Sequence, residues 1–229
     1  MKIGFDIISD LYLSPDDSFN WEGKATSLYC LIAGNVSADL RTLRQTLMHL
    51  GRFYQGVFYV PGKLEYENCQ DINLRTEQIK KVCQSVKKVA ILHNHVVIID
   101  GIAILGANCW YDKATNEYIF EIDKQIHRTE DIAYLVNTLD KLQLHLDVKT
   151  IIVMTSTVPS SELFFGLRPE GLEELIPPKS ILSHDLENKI SYWVYGNFTK
   201  EVNVTIENIN YISNPYINRN PYWAKRIEI

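Results

Sequence analysis

The sequence predicts an α/β protein in which two β-sheets pack as a sandwich flanked by helices. Short runs rich in β-branched and aromatic residues alternate with amphipathic helical patterns, the order of a layered sheet. Later runs meet in back-to-back pairs, so parallel units give way to antiparallel ones. The 229 residues, 46% hydrophobic, suffice for one full core, whereas two domains would each be small. One domain over residues 1–229 is expected, with 214–229 as a C-terminal tail.

In chain order, strands are expected over Ile3 to Ile8, Ser27 to Ala33 and Gly56 to Val60. Between and after them, Leu40, Leu43, Leu47, Leu50 and Tyr54 fall on one helical face, as do Ile79, Val82, Cys83 and Val86. Val96 to Ile99 and Ile102 to Asn108 form two strands joined at Asp100-Gly101, a tight-hairpin signal. A third helix is expected from Thr129, as N-cap, through Ile132, Leu135, Val136, Leu139 and Leu142. Strands follow over Ile151 to Thr155, Tyr192 to Tyr195, Val202 to Ile206 and Ile209 to Ser213, the last two meeting at Glu207-Asn208. Ser160 to Ser180, with four prolines in or beside it, is the expected long surface loop, and Leu172 to Leu175 could make a helical turn within it.

A net charge of −5 and the lack of any Lys/Arg run argue against nucleic acid and anionic membrane surfaces as partners. Asp6 interrupts any apolar leader, and no later apolar run reaches the roughly 20 residues of a spanning helix, so a soluble intracellular protein is expected. Cys30, Cys69, Cys83 and Cys109 show no C-x-x-C spacing and read as buried thiols.

Four stretches concentrate the functional signal: Ile8-Ser9-Asp10-Leu11-Tyr12, Ile32-Ala33-Gly34-Asn35, Val60-Pro61-Gly62-Lys63-Leu64-Glu65 and Val194-Tyr195-Gly196-Asn197-Phe198-Thr199. Each follows an apolar β-type run and opens a polar turn, where open α/β sheets place binding residues. In order and spacing these blocks resemble the calcineurin-like metallophosphoesterases, whose blocks are D-x-H, G-D, G-N-H-E/D, T-H-H-x-P and G-H-x-H. Pro159-Ser160, Ser213-Asn214-Pro215 and the Asp100-Gly101 hairpin leading to Gly106 and Trp110 add to the likeness, which runs from Lys2 to about Pro215.

The resemblance implies a metal site at positions where most ligands are replaced. Asp10 matches the first ligand. Tyr12 stands where the family has His, and Asn35 stands for the Asp that bridges two metals. Lys63 replaces the Asn ligand and Leu64 the leaving-group His. Ser156 replaces another His, and Asn197 and Thr199 replace the last His pair. Two-metal hydrolysis needs anionic and imidazole ligands around the ions. Asn, Ser and Thr oxygens are weak donors, a protonated Lys63 repels a divalent cation, and Leu64 cannot transfer a proton. No metal and no other cofactor is therefore expected. Lys63 pairs with Asp10 in place of metal charge, or else extends into water while Asp10 caps its own turn.

Other features rank lower. His93 and His95 share a strand face at i, i+2 spacing but lack a third ligand in register. His49, His145 and His184 read as surface or boundary histidines, the last at a helix start, and Ser156 lacks a nucleophile elbow. Tyr216, Arg219, Tyr222 and Trp223 combine aromatics with a cation, as interface cores do; a tail packed on its own sheet explains them equally.

The expectation is an inactive metallophosphoesterase-like protein that binds another protein or serves as a structural scaffold, a use to which inactivated members of the family put the fold. A virion role is compatible with this. The alternatives are a nucleotide or phosphate sensor using Lys63, Asn35 and Asn197, and a residual phosphoesterase that would need Asp6, Asp16, Asp17 or Asp39 in the cleft.

Overall fold

A computed structural model describes residues 2–109, 118–164, 178–216 and 221–229; Trp110, Leu172 to Leu175 and Arg219 lie outside the described residues. The first half alternates strands and helices: β1 (Gly4–Ser9), β2 (Tyr29–Ala33), α1 (Leu40–Leu50), β3 (Gly56–Val60), α2 (Ile72–Gln84) and β4 (Val89–Ile91). The second half continues with β5 (His95–Ile99), β6 (Ile102–Ala107), α3 (Tyr118–Leu144), β7 (Thr150–Thr155), α4 (Pro178–Leu182), β8 (Ile190–Tyr195), β9 (Val202–Ile206), β10 (Ile209–Ser213) and β11 (Lys225–Glu228). Strand order is β11-β1-β2-β3-β4 in one sheet and β5-β6-β7-β8-β10-β9 in the other. Four neighbouring strands run parallel in each sheet, and the antiparallel strands β11, β5 and β9 sit at edges.

Three apolar layers follow from this arrangement. Between the sheets pack Phe5, Ile7, Leu31, Val60, Ile104, Ile152, Met154, Val194 and Ile212. Outside the first sheet, Leu43, Leu47 and Leu50 of α1 and Ile72, Ile79 and Cys83 of α2 meet Ile8, Ile32 and Tyr59. Outside the second, Leu135, Leu139 and Leu142 of α3 cover Leu105, Val153 and Trp193. Parallel strands buried on both faces explain why their sequences read as continuous apolar runs. Asp39 and Asp71 start the first two helices, each accepting an N–H three residues on.

Both hairpin signals are realised. Asp100 and Gly101, and likewise Glu207 and Asn208, hold positive φ between paired strands, as two-residue primed turns require.

Several expectations need correction. Thr129 is not an N-cap, because α3 already starts at Tyr118. Tyr54 lies beyond α1 and reaches the core from the turn before β3. His93 and His95 do not share a strand face: Asn94 between them has φ of 48°, which breaks the alternation, and β5 begins only at His95. His184 follows α4 rather than starting a helix, with its N–H on Ile181 O. Of the expected long loop, Ser161–Phe164 forms a 3-10 turn and α4 begins at Pro178, while residues 165–177 lie outside the described residues. Within the expected C-terminal tail, Lys225–Glu228 forms β11 and pairs with β1 at the edge of the first sheet. β4 and β11 escaped prediction because β4 spans three half-buried residues and β11 carries a single buried apolar side chain, Ile227.

Candidate functional site

The sequence places Gly34-Asn35 after β2 and Gly196-Asn197 after β8, and the structure uses these residues to turn the chain sharply. Asp10, Tyr12, Gly34, Asn35, Cys109 and Asn197 all have positive φ, a conformation that Gly, Asn and Asp adopt most readily. Exits from both sheets converge at this end. A Cβ on Gly196 would collide with the Ala33 carbonyl oxygen and one on Gly62 with Asn35, while one on Gly34 would press on Ser156. Only glycine permits backbones to approach this closely.

Asp10 lies at the centre, fully buried. Its Oδ1 accepts from Asn35 Nδ2 at 2.7 Å and from the Asn197 backbone N–H at 2.8 Å. The Ser9 side chain and the Phe198 backbone also act on the Asp10 carboxylate. Burial pushes the Asp10 carboxyl up to about 7 from an ordinary 3.8, against the pull of the bonds from Asn35 and Asn197.

Asn35 faces two ways. While Nδ2 serves Asp10, Oδ1 accepts the Leu64 N–H at 3.0 Å. Beneath it, the buried Glu65 carboxylate gathers backbone N–H groups from Asn35 (3.2 Å), Val36 (2.5 Å), Ser37 (3.3 Å) and Gly62 (2.7 Å). Glu65 therefore fastens the β2 exit to the β3 exit. Burial raises its pKa, opposed by the same backbone donors. Ser156 Oγ bonds to both the Asn108 carbonyl and its Oδ1, joining the ends of β6 and β7.

The expected site residues thus divide. Asp10, Asn35, Asn197 and the backbone of Leu64 form one hydrogen-bonded cluster, with Ser156 packed against Gly34 beside it. Tyr12, Lys63 and Thr199 are exposed at the rim, and the Leu64 side chain is half-buried. Asp10 is held by the Asn35 amide and the Asn197 backbone N–H, and Lys63 stands exposed at the rim. Tyr222 is 1% exposed and exchanges hydrogen bonds with Asn214, so it is no partner surface, whereas Trp223 is 54% exposed and Tyr216 half-buried. The packed tail won because Asn214 Nδ2 also bonds Ile7 O and Trp223 O, which pins the segment to β1.

Three contributors were missed: Asn108, Ser9 and Asp131. Asp131, buried on α3, accepts the Cys109 N–H at 2.7 Å, and burial pushes its carboxyl up to about 7. A lone acid in a mixed helical stretch gives no sequence signal of this role. Trp110 would adjoin Cys109 but lies outside the described residues.

No family model matches the sequence. Among curated proteins, the uncharacterized protein L509 of Acanthamoeba polyphaga mimivirus is 24% identical over 191 residues, covering 66% of this chain and 66% of that protein. Among solved structures, phosphopantetheinyl hydrolase from Mycobacterium tuberculosis superposes with a TM-score of 0.69 at 14% identity, over 99% of this chain and 96% of that one. The chain has a phosphoesterase-like fold. A candidate 5′-nucleotidase from Staphylococcus aureus, in complex with alpha-ketoglutarate, has a TM-score of 0.59 at 10% identity, over 94% of this chain and 49% of that one. In the phosphoesterase-like fold described here, the converging strand exits are the positions to test for a metal centre.

The donors present do not fit a two-metal centre. Such a centre needs an anionic group between two cations, and the group beside Asp10 is a neutral amide. Glu65 has both oxygens turned onto backbone N–H groups. Among the described residues, no three His, Cys, Asp or Glu side chains gather as a metal-ligand group, and no helix is long and apolar enough to cross a membrane.

Proposed function

We propose that this chain is a degenerate phosphoesterase-like protein that does not hydrolyse phosphate esters and serves as a protein-binding or structural scaffold. The observation that carries the reading is the commitment of Asp10, the one charged ligand position kept, to Asn35 and the Asn197 backbone inside a buried cluster. A hydroxide nucleophile needs a cation to form near neutrality, and a metaphosphate-like transition state needs positive charge around its oxygens. This cluster offers neither, and Leu64 has no proton to give a leaving group.

The sensor alternative is weaker on the same geometry. Asn35 is fully buried with its amide spent on Asp10, and the Asn197 N–H is spent likewise. Of its donors, Lys63 stands exposed at the rim. Support for a binding role comes instead from exposed apolar residues on an ordered frame. Trp223 flanks the pinned C-terminal segment, while Leu144, Leu146 and Leu186 are 82%, 85% and 74% exposed. The last three stand where Gln143 ties the end of α3 to the Asp185–Glu187 turn. Large apolar side chains grouped in this way mark interaction sites more often than singly scattered ones do. The viral relative makes a structural role in a virus a natural setting.

The test is metal per chain by elemental mass spectrometry after equilibration with manganese, zinc or iron and desalting, coupled to hydrolysis of an aryl phosphate with manganese. The expected result is metal near zero and no hydrolysis above buffer. Stoichiometric metal with saturable hydrolysis would overturn the reading.

A further inference from the structure

The Asn35 amide occupies the place of a cross-link rather than that of a ligand. It ties the exits of three strands: β1 through Asp10, β2 through its own backbone and β3 through Leu64. Its backbone adds two further bonds, from N–H to Glu65 Oε2 at 3.2 Å and from the Tyr12 N–H to its carbonyl at 2.9 Å. Through Asp10, the same node reaches the exit of β8 at Asn197.

The orientation of the amide is fixed by its neighbours. Flipping it would aim the carbonyl oxygen at the Asp10 carboxylate and the NH₂ at the Leu64 N–H, which are two repulsive contacts in a dry site. A carboxylate in its place would keep the Leu64 contact but face Asp10 as a like charge. Two carboxylates at that distance cannot both ionise without a shared proton or a cation between them.

We infer that the Asn35 side-chain amide does the cross-linking that a bridging metal ion would otherwise do at this junction, so the fold is independent of metal, and that Asn35→Asp alone makes its stability depend on a divalent cation. The inference rests on the reading that the metal centre has been replaced. Asp tolerates positive φ as Asn does, and Asn35 has φ of 55°, so the substitution changes the donor and the charge while sparing the backbone.

The test is thermal melting of wild type, Asn35→Asp and Asn35→Ala at pH 8, with EDTA or with millimolar manganese or zinc. Wild type is expected to melt at the same temperature in all three media. Asn35→Asp should melt roughly 6–15 °C lower in EDTA, as expected for a broken buried charge contact, and recover much of that loss with manganese or zinc. Asn35→Ala should melt at least about 5 °C below wild type and gain nothing from metal.

An Asn35→Asp protein as stable as wild type in EDTA, or unmoved by either cation, overturns the inference. If that variant does not fold, Asn35→Ala decides: melting with wild type would show that the amide carries no cross-link. Failure of the underlying reading looks different, because the wild type itself would then take up metal and hydrolyse phosphate esters.

Discussion

The indole N–H of Trp21 donates to the Tyr54 hydroxyl at 2.8 Å, inside the layer between the first sheet and its helices. That hydroxyl donates onward to Asp6 Oδ2 at 2.9 Å, and Asp6 also accepts from the backbone and hydroxyl of Thr26. Three segments distant in sequence are thereby joined: β1, the loop before β2 and the turn before β3. His49, a half-buried boundary histidine, completes the anchor by accepting the Trp21 backbone N–H at 3.0 Å.

Tyr54→Phe removes the hydroxyl and leaves a buried indole N–H without its acceptor. The expected loss is ~1–3 kcal/mol in urea denaturation, because an unsatisfied buried donor forfeits its hydration as well as its bond. A change below about 0.5 kcal/mol would mean that water replaces the hydroxyl.

Gly196→Ala tests the contact between sheets. The new methyl would strike the Ala33 carbonyl oxygen and approach Asp10 Oδ1, so backbone must move and cannot be relieved by a side-chain rotation. A loss of ~3 kcal/mol or more is expected, at the severe end for a single methyl group. The urea midpoint and the yield of soluble protein both report it.

Glu65→Gln tests the collector of backbone amides. An amide offers one acceptor oxygen and turns an NH₂ toward donors, so part of the four-bond set from Asn35, Val36, Ser37 and Gly62 is lost. The expected cost is ~2–4 kcal/mol, several times that of a surface Glu→Gln change measured in parallel.

Asp131 gives the pH dependence. Its folded pKa, about 7, lies above its ordinary 3.8, so the folded state holds a proton that the unfolded state has released between those values. This term is therefore fully present below about pH 4 and lost as pH rises through about 7. Asp131→Asn keeps an acceptor for the Cys109 N–H and removes the ionisation. The variant should be more stable than wild type at pH 8, with the advantage shrinking toward pH 5. Urea midpoints at the two pH values check this, and an equal advantage at both would sink it.

Much of the framework was legible because the apolar runs and turn residues carry local information. Asp100-Gly101 and Asn208 announce their hairpins through the backbone shapes those residues accept. The strand exits were legible for the same reason, since Gly34, Asn35 and Asn197 are the residues a left-handed turn selects. What escaped is what depends on distant partners. Nothing near Tyr222 says that its hydroxyl will meet Asn214, and nothing near Asn35 says that its amide will turn to Asp10 rather than to solvent. Nor does the charge of a neighbouring block tell that Asp10 will be buried and held by an amide and a backbone N–H.

The antiparallel ladder that brings Gly4 against Glu228 and Phe5 against Ile227 has a kinetic meaning. Hairpins such as β5–β6 close short loops and can form early, whereas this pairing closes one of the longest loops in the chain and comes at high entropic cost. During synthesis β1 can pair with β2 long before residues 225–228 leave the ribosome. Until then its other edge stays open to any extended strand, so shortening the chain from β11 inward is expected to leave a protein that keeps most of its interior yet self-associates through β1.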